Sequence, residues 1–264
     1  MNKKLIMNGR RALVCGSSKG IGAETAIELS KLGVSIILLA RDENSLSDIL
    51  TKLDDSQNQE HSYLIADFDN PKELKHKITD FINNNPPIHI LINNSGGPKP
   101  GPIIDANIED FINAFNRHLI CNHILVQALV PNMKEAEFGR IINITSTSVK
   151  EPIKGLGISN TIRGAVANWA KTLSFELGEY GITVNNILPG YTDTQRLQEI
   201  FLDKSKKSNF DIESIISDAH SQIPLGRFAN PKETAKAICF LASEDAAYIN
   251  GINLPVDGGR LSTL

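Results

Sequence analysis

The segment ALVCGSSKGIG, Ala12 to Gly22, carries a short apolar run into three glycines, Gly16, Gly20 and Gly22, and a helical pattern begins directly behind them. Glycine has no Cβ, so the backbone can turn tightly there and bring its N–H groups against a pyrophosphate, while the positive end of the following helix faces the anion. Such a loop can hold a dinucleotide by its phosphates, with Ser18, Lys19 and Ile21 standing between and beside the glycines. Ordinary strand-to-helix turns also use glycine, so the surrounding elements decide the reading. The other residue types that could do chemistry are sparse. Cys15, Cys121 and Cys239 are far apart and form no C-x-x-C or Cys/His ligand pattern, so no metal site is expected. They read as small buried hydrophobes in a reducing cytosol.

The glycine loop needs a strand before it and a helix after it, and the rest of the chain repeats that alternation. Apolar runs of strand length lie at Ala12–Cys15, Val34–Ala40, Ser62–Ala66, Ile88–Ile92, Arg140–Thr145, Thr183–Leu188 and Gly251–Val256, with helical patterns near 19–33, 70–84, 106–133, 156–179 and 231–243. SIILLA, IHILIN and RIINIT have largely lost the polar alternation of half-exposed strands, as strands covered on both faces do. The pattern predicts an α/β fold: a Rossmann-type, doubly wound parallel sheet of about seven strands with helices on both faces. At 264 residues and 41% apolar composition, residues 1–264 are expected to form one domain. A charged, partly helical insertion from Tyr191 to Ile223 follows a strand's C-terminal end, where open α/β sheets bind ligands, and is expected to act as a substrate lid. The run Lys204 to Lys207 within it reads as a solvated edge.

The net charge is −3 and the basic residues are scattered, so the expected partner is a small molecule and not nucleic acid or a membrane surface. The opening MNKKLIMNGR is basic, but its apolar stretch is too short for a secretory signal, and no run is long enough to span a bilayer. A cytoplasmic location is expected. The N-x-S/T matches at Asn93 and Asn143 mean little without secretion.

Several further motifs accumulate in order: NNSG at Asn93 to Gly96, NITS at Asn143 to Ser146, LPGYTDT at Leu188 to Thr194, PLGRFANPKETA, and VDGG at Val256 to Gly259. Together with GSSKGIG they resemble the short-chain dehydrogenase/reductase family over nearly the whole chain, most closely its β-ketoacyl-carrier-protein-reductase-like branch. The resemblance implies that Gly16, Gly20 and Gly22 hold the cofactor phosphates, that Asp67 faces the adenine, and that Asn94, Ser95 and Gly96 close over the adenosine ribose. It also implies that Pro189, Gly190, Thr192 and Thr194 hold the nicotinamide half. Cys15 stands where the family usually has threonine. The residue that selects NAD falls on Ala40, whereas Lys19 and Arg41 supply the cations that a 2′-phosphate requires, so the implied cofactor is NADP(H) before NAD(H). Asp42 beside Arg41 argues in the opposite direction.

The catalytic positions depart from the family. Carbonyl reduction needs hydride at carbon and a proton at oxygen, and the family supplies the proton through an Asn, Ser, Tyr, Lys set. Ser146 matches the serine, but the family spacing puts Ser159 at the tyrosine, Arg163 at the lysine and His118 at the asparagine, with the downstream AVANWAKTLSFEL aligning without a gap. A phenol has a pKa of about 10 in water, and an aliphatic hydroxyl is a far weaker acid. Arg163 can bind ribose hydroxyls and stabilise an oxyanion, but cannot readily shuttle a proton. A water held by Ser159 and Arg163 could fill the space of the missing ring. Tyr191 stands as a hypothetical replacement acid, with a lid residue lining the pocket as its other reading. His118 reads either as a proton relay or as a satisfied packing residue, His123 repeats that ambiguity, and Trp169 reads as helix packing.

Three functional readings follow. The first is an NADP(H)-dependent reductase or dehydrogenase of a keto or hydroxy compound with a rebuilt proton path. The second is a cofactor-binding regulatory or scaffold protein without turnover. The third is a non-redox enzyme resembling the halohydrin-dehalogenase relatives, which lose the glycine cradle that this chain keeps. The resemblance further implies a homotetramer or homodimer paired through the helices at 106–133 and 156–179.

Overall fold

A computed structural model describes residues 7–208 and 210–263. Met1–Ile6 of the basic opening and Asn209 of the insertion lie outside the described residues, as does the side chain of Lys207. Seven strands form one sheet: β1 (Arg11–Cys15), β2 (Ser35–Ala40), β3 (Ser62–Ile65), β4 (Ile90–Asn93), β5 (Gly139–Ile144), β6 (Ile182–Pro189) and β7 (Asn253–Val256). Their spatial order is β3-β2-β1-β4-β5-β6-β7, and every pairing is parallel. The order reverses between β1 and β4, so the loops leaving those two strands run apart and open a crevice at the sheet's C-terminal edge.

The helices are α1 (Gly20–Ser30), α2 (Glu43–Leu50), α3 (Pro71–Asn83), α4 (Ile108–Phe115), α5 (Cys121–Glu135), α6 (Gly157–Leu177), α7 (Gln195–Ser208), α8 (Ile212–Ser221) and α9 (Pro231–Ala242). Successive strand residues point to opposite faces, and both faces are covered. Ala12 and Val14 pack with Leu29 of α1, Leu46 of α2 and Ile238 of α9, while Leu13 and Cys15 pack with Leu74 of α3, Leu129 of α5 and Leu173 of α6. All three cysteines are buried, and burial pushes the thiols of Cys121 and Cys239 up to about 12, which leaves them inert packing groups.

The single-domain, doubly wound sheet is the fold that the alternation predicts, with local differences. Helix α2 is absent from the sequence reading. Its segment, ENSLSDIL, is rich in weak helix formers, and what stabilises it is burial of Leu46 and Ile49 together with an N-cap in which Asp42 accepts from Ser45 N–H at 2.7 Å. The run expected as one helix over 106–133 begins at Ile108 and widens into a π-turn at Asn116–Ile120, between α4 and α5. The insertion contains two helices, α7 and α8, whose inner faces share a small core of Leu197, Phe201, Ile215 and Ala219.

A polar rail crosses the sheet just below the crevice. Asn93, Asn143, Asn186 and Asn253 are register partners on β4, β5, β6 and β7. Each Nδ2 donates to the next Oδ1: Asn93 to Asn143 at 2.8 Å, Asn143 to Asn186 at 2.9 Å, and Asn186 to Asn253 at 2.8 Å. The Oδ1 of Asn93 is buried and accepts nothing. These amides fix the relative height of four strand ends, and so of the loops that leave them.

Candidate active site

The loop after β1 is as tight as its glycines suggest. Gly16 and Gly20 have φ of +58° and +61°, the left-handed region that a side chain strains. A Cβ on Gly22 would lie 2.3 Å from the carbonyl oxygen of Gly16, so the start of α1 presses directly on the loop. Lys19 takes the N-cap position of α1, and the first turn of that helix has no acidic residue to oppose an anion. Asn94 closes the loop from the neighbouring strand, its Nδ2 lying 3.2 Å from the carbonyls of Cys15 and Gly16. Its amide is therefore spent on shaping the cradle. Ser18 and Ile21 are half-buried on the same loop.

At the far end of β2 the charges are paired. Arg41 lies 3.7 Å from Asp67 and 3.6 Å from Asp69, and Arg117 grips Asp69 through Nε at 2.8 Å and also through Nη2. The Arg41 side chain is 66% exposed. Exposed pairs at such distances contribute about 0–1 kcal/mol, less than a charge-assisted bond from arginine to phosphate. Arg41 is thus available to an incoming 2′-phosphate. Asp42, the residue that argued against NADP, turns into the cap of α2, where hydrogen bonds from Ser45 hold its carboxyl below the ordinary range.

The catalytic-position residues cluster at the ends of β5 and α6. Ser146 follows β5 and caps the short turn Thr147–Val149, its Oγ accepting from Ser148 N–H at 3.1 Å. Its own hydroxyl hydrogen is left to donate. Ser159 and Arg163 sit one turn apart on α6, and Asn160 between them ties the 146–156 loop to the helix through both backbone groups of Ile153. Arg163 donates to the carbonyl of Ile144 at 2.7 Å, and burial pulls its pKa down to about 10, which still leaves it charged at neutral pH.

His118 lies in the π-turn, against which α6 packs, and is 1% exposed. Its Nδ1 is 2.7 Å from the Oγ of half-exposed Ser95, and its Nε2 is buried without a partner. Burial, then the charges of Arg163 and Arg117, hold the imidazole well below its ordinary pKa and therefore neutral. His118 is only half satisfied, unlike His123, which accepts from Trp169 Nε1 at 3.4 Å and packs against its ring.

The turn after β6 closes the crevice. Gly190 packs on Asp257, Thr194 sits over Gly20, where a Cβ would meet its Cγ2 at 3.3 Å, and Lys19 donates to Gln195 at the start of α7 at 3.1 Å. The hydroxyls of Thr192 and Thr194 turn to the carbonyls of Gly190 and Thr192. Tyr191 packs its ring against Phe201 and Phe228 at 5.9 and 5.7 Å between centroids. The structure thus brings together the cradle, Asn94 and the Pro189–Thr194 turn, joins Arg41 to Asp67, and joins Ser95 to His118. The sequence reading missed Asp69, Arg117, Arg260 and the asparagine rail. An asparagine within each of four otherwise largely apolar strand runs was the available signal for the last.

A parallel sheet with a glycine cradle at its switch point and a serine and cation at the next strand end defines a dinucleotide-binding α/β protein. Residues 16–260 match the family profile described as enoyl-(acyl carrier protein) reductase, and the chain belongs to the short-chain dehydrogenase/reductase family. It is similar to the NADPH-dependent reductase BacG of Bacillus subtilis, 30% identical over 262 residues, covering 98% of this chain and 100% of the relative. It is 31% identical to the 3-oxoacyl-[acyl-carrier-protein] reductase FabG of Haemophilus influenzae over 253 residues, covering 96% and 98%. The L-sorbose reductase of Gluconobacter frateurii, solved with NADPH and L-sorbose, superposes with a TM-score of 0.91 at 28% identity, covering 99% of this chain and 100% of that one.

Proposed function

We propose that this chain is an NADP(H)-dependent oxidoreductase moving hydride between the nicotinamide and a keto or hydroxy compound, with chemistry like that of 3-oxoacyl-thioester reductases and a proton route that uses no phenol. The observation that carries the reading is the intact cradle, in which Gly22 lies so close to the Gly16 carbonyl that no side chain is tolerated. Gly16, Gly20 and Gly22 would hold the pyrophosphate, Lys19 and Arg41 its anionic periphery, and Pro189, Gly190, Thr192 and Thr194 the nicotinamide half. Asp67, Asn94, Ser95 and Gly96 line the adenosine side. The bound nucleotide supplies or accepts the hydride; the protein supplies the rest.

Ser146 donates its free hydroxyl hydrogen to the substrate oxygen, and the Arg163 guanidinium stabilises negative charge building there. Ser159 and Arg163 hold the water that occupies the space of a phenol. Neutral His118 has one nitrogen on Ser95 and the other unpartnered, so in the reductive direction Nε2–H would give its proton to the water that Ser159 and Arg163 hold, that water would protonate the substrate oxygen, and Nδ1 would take the Ser95 hydroxyl proton, which solvent replaces. Tyr191 forms the wall of the lid spanning 191–223.

The test is incubation of the protein with NADPH and a panel of oxoacyl thioesters, diketones and sugars. The expected result is loss of nicotinamide absorbance beyond a no-enzyme control, abolished by Ser146→Ala. Tight NADPH binding without turnover would instead favour a regulatory or scaffold role, the reading motivated by Ser159 and Arg163 at the Tyr and Lys positions. Absence of both binding and turnover would overturn both readings. We further propose a homodimer or homotetramer, supported by the exposed Ile108 and Ile112 of α4 and the exposed Ile104 in the turn before it; a monomer by light scattering would refute it.

A further inference from the structure

Beyond Tyr191 the segments that leave the sheet's C-terminal edge hold a charged group that hydride and proton chemistry leave unused. β5, β6 and β7 are adjacent and parallel, so the segments that leave their C-terminal ends run side by side. Gly190 N–H donates to the Val256 carbonyl at 3.0 Å, and Ser262 Oγ reaches Glu151 at 3.4 Å, which places the 257–262 tail between the lid turn and the 146–156 loop.

Asp257 shapes that tail. Its Oδ1 accepts from Gly259 N–H at 3.0 Å and its Oδ2 from Leu261 N–H at 2.8 Å, so both oxygens are directed into the backbone turn. Arg260 stands at the turn's apex with its guanidinium carbon 4.8 Å from the centroid of the Tyr191 ring. It makes no ion pair among the described residues, and its Nε is buried without a hydrogen-bond partner.

Three physical points follow. A buried N–H without a partner is destabilising by about 1–3 kcal/mol, and more on a charged group, unless a ligand or water meets it. The guanidinium carbon lies over the Tyr191 ring, a contact that narrows the freedom of the side chain before any ligand arrives. The Nε and Nη hydrogens along one edge of a guanidinium match the two oxygens of a carboxylate. One guanidinium supplies one charge, and Asp257 and Glu151 stand nearby, which favours a planar monoanion over a dianionic phosphate. The Tyr191, Phe201 and Phe228 cluster sets an apolar surface beside the guanidinium.

We propose that Arg260 is a carboxylate-recognition residue, and that the substrate is an oxo or hydroxy acid whose carboxylate docks on the Nε edge while its carbonyl or hydroxyl faces Ser146. This rests on the oxidoreductase reading, and the experiment keeps the two separable. The NADP-saturated protein is titrated calorimetrically with 4-phenylbutyrate, with its neutral amide and with inorganic phosphate. The expected result is that the acid binds at least about tenfold tighter than the amide, equivalent to about 1.4 kcal/mol. Arg260→Gln should remove that preference and leave NADPH affinity within about twofold, while Arg260→Lys should recover only part of it. Equal binding of acid and amide, binding of neither, or a preference retained in Arg260→Gln would each overturn the assignment, and phosphate binding tighter than the acid would overturn the choice of a monoanion. Failure of the protein to bind NADP would count against the oxidoreductase reading, whereas the acid-over-amide comparison on the nucleotide-free protein still decides the role of Arg260. Thermal melts of both variants establish that they are folded.

Discussion

Replacing Asn143 by leucine keeps the shape of the side chain and removes the middle of the asparagine rail. Asn143 is 1% exposed and makes two amide bonds, accepting from Asn93 at 2.8 Å and donating to Asn186 at 2.9 Å. Removing one partner of such a bond so that the other is left buried and stranded costs about 1–3 kcal/mol. Asn93 would lose its remaining side-chain bond and Asn186 its donor, so the expected loss is about 3–5 kcal/mol, or roughly a 10 °C fall in Tm for a domain of this size. Asn253→Leu removes one bond at the half-buried end of the rail and should cost about 1–2 kcal/mol. The double variant Asn93→Leu/Asn143→Leu should fall short of the sum of its singles, because no amide is then left without its partner on the β4–β5 side. Urea unfolding with linear extrapolation measures these four variants, Asn93→Leu included, against the unaltered protein. If Asn143→Leu proves no more damaging than Asn253→Leu, the rail is not a coupled unit and the reasoning fails.

Three other perturbations test the site directly. Arg41→Ala should weaken NADPH binding roughly tenfold or more and leave NADH binding unchanged, since only the 2′-phosphate uses that charge; equal effects on both nucleotides in fluorescence titration would remove Arg41 from the site. Gly22→Ala puts a methyl 2.3 Å from the Gly16 carbonyl and 2.7 Å from Asn94 Nδ2, so NADPH affinity should fall at least about tenfold and Tm should drop; unaltered affinity would show that the cradle is not closely packed. His118 is held neutral, with its folded pKa below the ordinary value of 6.5, so the unfolded chain binds the extra proton first. Its contribution is complete above that ordinary value and lost as pH falls below it, with a slope of up to about 1.4 kcal/mol per pH unit, and His118→Asn should flatten this part of a stability–pH profile. Arg163 and Arg117 face the ring and add to the burial that holds it neutral.

The parallel, doubly wound sheet was legible because strands buried on both faces leave continuous apolar runs, and the cradle was legible because only glycine satisfies its backbone. Helix α2 was not, since ENSLSDIL has little intrinsic preference for a helix and its stability comes from Leu46 and Ile49 meeting β2 and β3. That omission also hid the role of Asp42, whose charge seemed to oppose a 2′-phosphate only while the helix it caps was out of sight. The pairing of Ser95 with His118 joins residues 23 positions apart through a π-turn, and no local pattern announces such a turn. Arg260 lies in a tail without a chemical motif of its own, and only the fold brings it over Tyr191.

The π-turn has a further consequence for how this chain can change over evolutionary time. It accommodates about one residue more than a regular turn, and each residue rotates a helix by about 100°. Before it, Ile108 and Ile112 face outward; after it, Leu125 and Leu129 face the core. Removing the extra residue restores a regular helix, so a single-codon deletion within Asn116–Ile120 would leave the faces of α4 and α5 in phase while shifting the residues of the turn itself, His118 among them. A change of one codon could thus undo the pairing of His118 with Ser95 and spare the outward isoleucines.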